Sequence, residues 1–325
     1  MTLPRRHFLR WAAGAAALPA VSGMASAQTF PRVIRIIVPF PPGGSVDPIS
    51  RMVQPGLAQR LGTTIIIENK PGASGAVGTG QVAKAPPDGS SWVFVFDSHA
   101  LNPFLQNLPY DTDKDLDPVL LIGTAPNVMS TNLDSPFKSL ADVLAAAKAK
   151  PDTISYASVS AGSGAHLTGV LLSERAGVKL VHVPYRGGAP AMNDAIAGHV
   201  DLLISSAALV VPQIAGGKLR GLLQTGKSRI PALPDVPTAI ESGFHGIESY
   251  AWWGVFTAGH TPKPIIDRFS AALAETLREP AVSRQLSENL QVTILAAGPE
   301  EERKFLSEQM KLWGPIIREH GIVAD

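Results

Sequence analysis

The sequence predicts a layered α/β protein of two lobes, and three observations carry that reading. Short β-branched runs alternate with helical runs twice over, between Val33 and Asp97 and again between Ile154 and Thr225, the pattern of parallel strands joined by crossover helices. The chain has 325 residues, more than a single core comfortably organises. It is 45% hydrophobic and only 17% charged, the composition of a packed globular protein rather than a disordered one.

Residues 1–27 read as an export address. Arg5 and Arg6 precede Phe8 and Leu9, a weakly apolar stretch runs from Trp11 to Met24, and Ala25-Ser26-Ala27 offers a small-residue cleavage site. Paired arginines followed by Phe-Leu resemble the bacterial twin-arginine signal, so cleavage is expected after Ala27 and the mature chain in the periplasm. Removing this segment takes away Arg5, Arg6 and Arg10 but no acid, so the net charge of +1 becomes −2. Neither value offers the concentrated basic surface that nucleic acid requires, so no nucleic-acid partner is expected. Without cysteine, disulfides and thiolate metal sites are excluded. No H-x-x-x-H pair stands among the 8 histidines, so neither a metal nor another cofactor is indicated.

Val33 to Phe40 reads as a buried strand, and Asp47-Pro48 as a helix start with Asp47 as N-cap and Pro at the first helical position. Thr63 to Glu68 is a second strand, followed by the glycine-rich PGASGAVGTG turn into a helix. Trp92 to Asp97 is a third strand. Ser139 and Asp142 resemble a capping box for a helix reaching Lys150. Ile154 to Ser158, Gly164 to Arg175, Leu180 to Pro184, Ala189 to Ala197 and Val200 to Ser205 continue strand, helix, strand, helix, strand. Arg220 to Thr225 and Ala251 to Thr257 are further strands. Helices are expected over Pro264 to Arg278, Ala281 to Asn289 and Glu300 to His320, with Pro315 kinking or breaking the last. Crossings between lobes are placed near Asn127–Leu133 and Glu248–Trp252. That gives lobe 1 as residues 28–128 and 251–325, and lobe 2 as residues 129–250.

Three polar, glycine-rich strand-to-helix turns are the chemically informative segments. PFPPGGSVDP, NKPGASGAVGTG and ASVSAGSGAH each leave backbone N–H groups at a helix start, a setting that favours an anion. No arginine lies inside them, so an anion there relies on N–H donors and helix dipoles. The G-x-G-x-x-A spacing from Gly78 to Ala83 begins about ten residues after its strand, which argues against a dinucleotide fingerprint. Ser163 and His166 leave a secreted serine hydrolase open, but the first glycine of the G-x-S-x-G elbow is missing. The alternating Asp111, Asp113, Asp115 and Asp117 lack the glycine and glutamate of a calcium loop and read as a solvated surface loop.

Taken in order, the motifs resemble the periplasmic receptors of the tripartite tricarboxylate transporter system, often called Bug receptors. The matching pieces are Val38-Pro39-Phe40-Pro41-Pro42-Gly43-Gly44 with Asp47, Glu68-Asn69-Lys70-Pro71-Gly72-Ala73, and Gly164-Ala165-His166-Leu167. They continue through His182-Val183-Pro184-Tyr185-Arg186-Gly187, Gly198-His199-Val200-Asp201, Leu233-Pro234-Asp235-Val236-Pro237 and Trp252-Trp253-Gly254. The resemblance implies a two-lobed periplasmic binding protein fold of the type II, flytrap kind, each lobe a mixed sheet flanked by helices. It implies a monomeric receptor with no catalytic residue, which captures a small organic carboxylate and hands it to a permease of a large and a small membrane subunit. A sensor subunit that presents its ligand to a signalling partner is the other reading it allows. The ligand contacts it implies are Phe40, Gly43, Gly44, Ser45 and Asp47 in the first loop, and Ser74, Gly75 and Ala76 in the second. From the facing lobe come Ser158, Ser163, His166, Tyr185 and Asp201, with Ser98 after the third strand. Arg186 is not expected to be a contact. The loop from Ser158 to Ala165 departs from the family's usual form, which leaves open which serine meets the ligand.

Overall fold

The computed structural model describes residues 30–324; the export segment and its cleavage site lie outside the described residues. In chain order the elements are β1 (Val33–Val38), α1 (Val46–Leu61), β2 (Thr64–Asn69), α2 (Ala76–Ala83), β3 (Ser91–Phe96), α3 (Ser98–Leu105) and β4 (Leu116–Asn132). There follow α4 (Leu140–Ala149), β5 (Ser155–Ser158), α5 (Gly164–Ala176), β6 (Val181–Pro184), α6 (Gly188–Ala197), β7 (Leu202–Ser206), α7 (Ala207–Ala215) and β8 (Leu219–Gln224). The chain closes with β9 (Tyr250–Ala258), α8 (Lys263–Leu277), α9 (Pro280–Arg284), β10 (Thr293–Ala297) and α10 (Pro299–Glu319).

The strands form a mixed sheet in the order β2-β1-β3-β9-β4-β7-β5-β6, with β10 and β8 also paired to β4. Parallel pairing joins β1 to β2 and β3, and β5 to β6 and β7. β4 belongs to both halves. Its residues Leu116–Pro126 pair with β9, and Asn127–Ser130 pair with β7. The parallel strands of the two halves thus point their carboxyl ends towards a shared seam, where open α/β sheets bind ligands.

The first half is held by Ile34, Ile36 and Val38 under Ile49, Val53 and Leu57 of α1, with Trp92 stacked on Phe269 of α8 at 3.7 Å. In the second half, Val143, Tyr156, Leu167, Leu171 and Ile204 form a separate cluster. α10 serves both, since Leu306 packs with Val93 and Trp252 while Trp313 and Ile317 join the second cluster. The capping box of α4 forms, the Asp142 amide donating to Ser139 Oγ and the Ser139 amide to the Asp142 carboxylate.

Several expectations need correction. α10 runs unbroken through Pro315: that residue is exposed, as is Lys311, so water can serve the carbonyl that the proline leaves unbonded. The helix expected over residues 281–289 is the short α9 followed by a π-helical turn, Gln285–Asn289. β4 is one long strand despite Pro118, Gly123 and Pro126, because register shifts at Pro118/Leu120 and Leu121/Gly123 take up the misfits. α1 starts at Val46, which puts Asp47 within the first turn instead of at the N-cap.

Candidate functional site

Four segments at the carboxyl ends of β1, β2, β5 and β6 enclose a cleft of ≈590 Å³ between the two halves. Pro39, Phe40 and Pro41 come from the first, Pro71 to Gly75 from the second, Val159 to Ala161 from the third and Pro184 to Arg186 from the fourth. A smaller chamber of ≈10 Å³ lies among Phe40, Gly44, Ser45, Val46, Phe96, Val159, Gly188, Ser205 and Leu209.

The first loop is fixed by Asp47. Its carboxylate accepts from Arg51 Nε at 3.0 Å, Asn69 Nδ2 at 3.0 Å and the Gly43 amide at 3.4 Å. Burial pushes its pKa up, but these bonds outweigh burial and hold Asp47 below the usual carboxylate value. Asn69 also donates to the Phe40 carbonyl at 3.0 Å, so the loop is tied to the end of β2. With its lone pairs engaged and its charge paired, Asp47 braces the loop and does not stand among the cleft lining.

The second loop carries four successive residues with positive φ: Gly72 (142°), Ala73 (46°), Ser74 (52°) and Gly75 (94°). Ala73 and Ser74 adopt a strained backbone that each side chain opposes by about 1–2 kcal/mol. α3 holds it in place: Ser98 Oγ and Asn102 Nδ2 donate to the Ser74 carbonyl at 2.9 and 3.1 Å, and Gln106 Nε2 donates to that of Ala73 at 3.1 Å. The loop leads into the amino end of α2, where the Gly75 and Val77 amides donate to the Gly72 carbonyl at 3.0 and 3.4 Å and the Ala76 amide donates to that of Ala73. Ser98 is therefore a brace for the loop.

In the third segment, Ser158 Oγ donates to the Ser160 carbonyl at 2.9 Å and stands 2.7 Å from His182 Nε2. With its proton so used, it accepts from that nitrogen. Ser163 Oγ donates to the same carbonyl at 3.0 Å and caps α5 by accepting the His166 amide at 3.3 Å. His166 Nδ1 accepts the Gly162 amide at 2.9 Å, and its ring stacks on His182 at 3.7 Å between centroids. Burial, with His182 beside it, pulls the His166 pKa down to about 3; burial pulls His182 down to about 4. Both rings are neutral and hold the loop. No Ser163–His166 side-chain pair exists to support nucleophilic chemistry.

The fourth segment presents the Tyr185 ring to the cleft, while its hydroxyl donates to Asp194 at 2.7 Å. Arg186, set aside in the sequence reading, lines the cleft as its single charged side chain among the described residues. Across the seam, the first loop meets the amino end of α6: a Cβ on Gly44 would stand 3.8 Å from the Gly188 amide nitrogen, and one on Gly187 2.7 Å from Pro41. Two helix starts of the same dipole sign therefore face one another, which favours an anion nearby.

Of the residues expected from the sequence, Phe40, Ser74, Gly75 and Tyr185 line the cleft, and Gly44 and Ser45 the chamber. Gly43 and Ala76 lie in the same two loops. Asp47, Ser98, Ser158, Ser163 and His166 stand one layer behind. Asp201 is not brought to the cleft: it precedes β7, where its carboxylate accepts from the Ser155 amide and hydroxyl at 2.8 and 2.7 Å. That is the opposite end of the strand from Ser205, about 13 Å away at strand rise. Ser160, one of the loop serines left open by the sequence, and Arg186, set aside there, line the cleft, and Ser205, not singled out from the sequence, lines the chamber. Among the described residues no group of three or more His, Asp or Glu is placed to hold a metal ion, and no helix is long and apolar enough to cross a membrane.

Residues 49–322 match the model of the tripartite tricarboxylate transporter family receptor. The chain is 35% identical, over 92% of its length and 89% of the relative's, to the protein of the tcbD-tcbE intergenic region of Pseudomonas sp. (strain P51). The solved periplasmic binding protein BugD superposes with a TM-score of 0.86 at 33% identity, covering 91% of this chain and 100% of that one. An R. palustris protein solved with adipate gives 0.86 at 28% identity, covering 90% and 99%.

Proposed function

The chain belongs to the tripartite tricarboxylate transporter receptor family, a family of periplasmic solute-binding proteins, and from that premise we propose that it captures a small organic carboxylate in the seam cleft. The observation that carries this reading is the make-up of the ≈590 Å³ cleft: the glycine-rich loop entering α2 and the ends of β5 and β6 enclose it, Arg186 lines it, and among the described residues no acidic side chain does. An anion is the ligand such a surface favours. The solved relative holds adipate, a dicarboxylate. The volume falls within the range of small-molecule pockets and exceeds what a four-carbon acid fills, so bridging waters or a longer acid complete it.

The two halves act as closing lobes, residues 28–128 with 251–325 against 129–250, and the loaded monomer delivers its ligand to a membrane permease of a large and a small subunit. The twin-arginine machinery exports the precursor, with cleavage after Ala27. Contacts through main-chain N–H groups suit capture and release, with affinity near micromolar, about −8 kcal/mol.

Thermal-shift screening of residues 28–325, stripped of ligand by unfolding and refolding, tests the reading. The panel holds mono-, di- and tricarboxylates, aromatic acids and acidic amino acids. At least one acid is expected to raise the midpoint saturably, by the equivalent of about 2.7 kcal/mol at a hundredfold excess over Kd. Silence across the panel would overturn the proposal.

A further inference from the structure

The serines around the cleft divide into two sets. Ser158 and Ser163 are saturated by the bonds to Ser160, His182 and His166 described above. Ser160 and Ser205 are not: they are only 6% and 1% exposed, and neither Oγ has a hydrogen-bond partner among the described residues. Ser160 lines the large cleft and Ser205 the small chamber, on the side opposite the first loop. A buried hydroxyl left without a partner is destabilising. Two of them at the ends of β5 and β7, each bordering ligand-sized or water-sized space, form an incomplete hydrogen-bonding set that a ligand would complete.

We propose that Ser160 and Ser205 are the side chains through which the second half holds the ligand, and that they set its specificity. The assignment rests on the carboxylate-receptor reading. Each hydroxyl both donates and accepts, so each takes an oxygen of the ligand, as a carboxylate, hydroxyl or carbonyl. The chamber beside Ser205 is lined by no charged side chain and has room for one water-sized group. What reaches Ser205 is therefore a single oxygen, the ligand's own or that of one bridging water.

Isothermal titration of adipate, malate and the panel acid with the largest thermal shift, against wild type, Ser160→Ala and Ser205→Ala, tests this. Each variant is expected to bind about tenfold more weakly, as loss of one hydrogen bond to a charged group predicts. The ligand-free midpoint should stay the same or rise, because neither hydroxyl supports the fold. Ser158→Ala, which loses its bond with His182, should lower that midpoint, which separates bracing from contact. Wild-type affinity in both Ser160→Ala and Ser205→Ala overturns the assignment while leaving the receptor reading standing. If no acid binds wild type, the receptor reading fails and the assignment with it.

Discussion

Two carboxyl groups are buried to the same degree in this molecule and are treated in opposite ways. Glu302, at the start of α10, is 0% exposed, yet its oxygens accept the Val119 amide at 2.8 Å and the Val255 amide at 3.1 Å. It fastens the last helix to β4 and β9, close to the irregularity at Pro118/Leu120. Asp97 follows β3 at the seam, 3% exposed, and has no hydrogen-bond partner in good geometry. Each carboxyl occupies the space a neighbouring glycine leaves: a Cβ on Gly254 would stand 2.2 Å from Glu302, and one on Gly164, the first residue of α5, 2.8 Å from Asp97. Identical burial thus serves a staple inside one half and a loosely held contact between halves.

The staple should be the costlier to break. Glu302→Ala leaves two buried amides without acceptors and is expected to lose about 5 kcal/mol in denaturant unfolding, while Glu302→Gln, which keeps an acceptor, loses less. A loss below about 1 kcal/mol would refute the staple. At the seam, burial pushes Asp97 up to about 7, opposed by the nearby amides of Ser98 and Gly164. Between its ordinary value of 3.8 and about 7 the folded chain holds a proton that the unfolded chain has released, so this group lowers stability as pH rises through that window. Asp97→Asn should therefore gain on the order of 4 kcal/mol at pH 8 and almost nothing at pH 4, read from urea midpoints at each pH. An equal effect at both would refute the assignment.

The histidine stack tilts the balance the other way. His166, pulled down to about 3 from 6.5, leaves the unfolded chain with more protons between those values. Stability then falls as pH drops below about 6.5, and His166→Gln should lessen the loss between pH 7.5 and pH 5 by about 2 kcal/mol. Gly164→Ala should weaken ligand binding a few-fold, by crowding Asp97 at the seam, and destabilise by about 1 kcal/mol. The smallest change belongs to an exposed carboxylate: breaking the Lys263–Asp267 pair at 2.7 Å with Lys263→Ala should shift stability by less than about 0.5 kcal/mol.

Much of this architecture could be read from the residues. β1, β2 and β3 stand out because short β-branched and aromatic runs bounded by turn residues favour strands, though of the three only β3 is buried along nearly its whole length, and the glycine-rich loops because tight strand-to-helix turns demand glycine. β4 was hidden by Pro118, Gly123 and Pro126, which signal breaks locally and are tolerated only because partners on both sides accommodate the bulges. Glu302 was hidden in the run Glu300-Glu301-Glu302-Arg303, which looks like a solvated helix start. The site divides in the same way. Loop glycines carry a local signature, but whether Ser158 or Ser160 is free depends on His182, 24 residues from Ser158 and on another strand. Which hydroxyl is left over is a property of the folded network, not of any motif.

The pairing of β9 has a kinetic consequence. This strand lies between β3 and β4, matching Trp253 to Phe96 and Ala251 to Ala125, yet the chain must pass through residues 97–249 before supplying it. The first half therefore cannot complete its sheet until the second half has been laid down, and the loop to be closed is long. Until then the facing edges of β3 and β4 are open to pairing with another chain. Slow, concentration-sensitive refolding follows from that topology. The residues that arrive late decide when the earliest ones become a sheet.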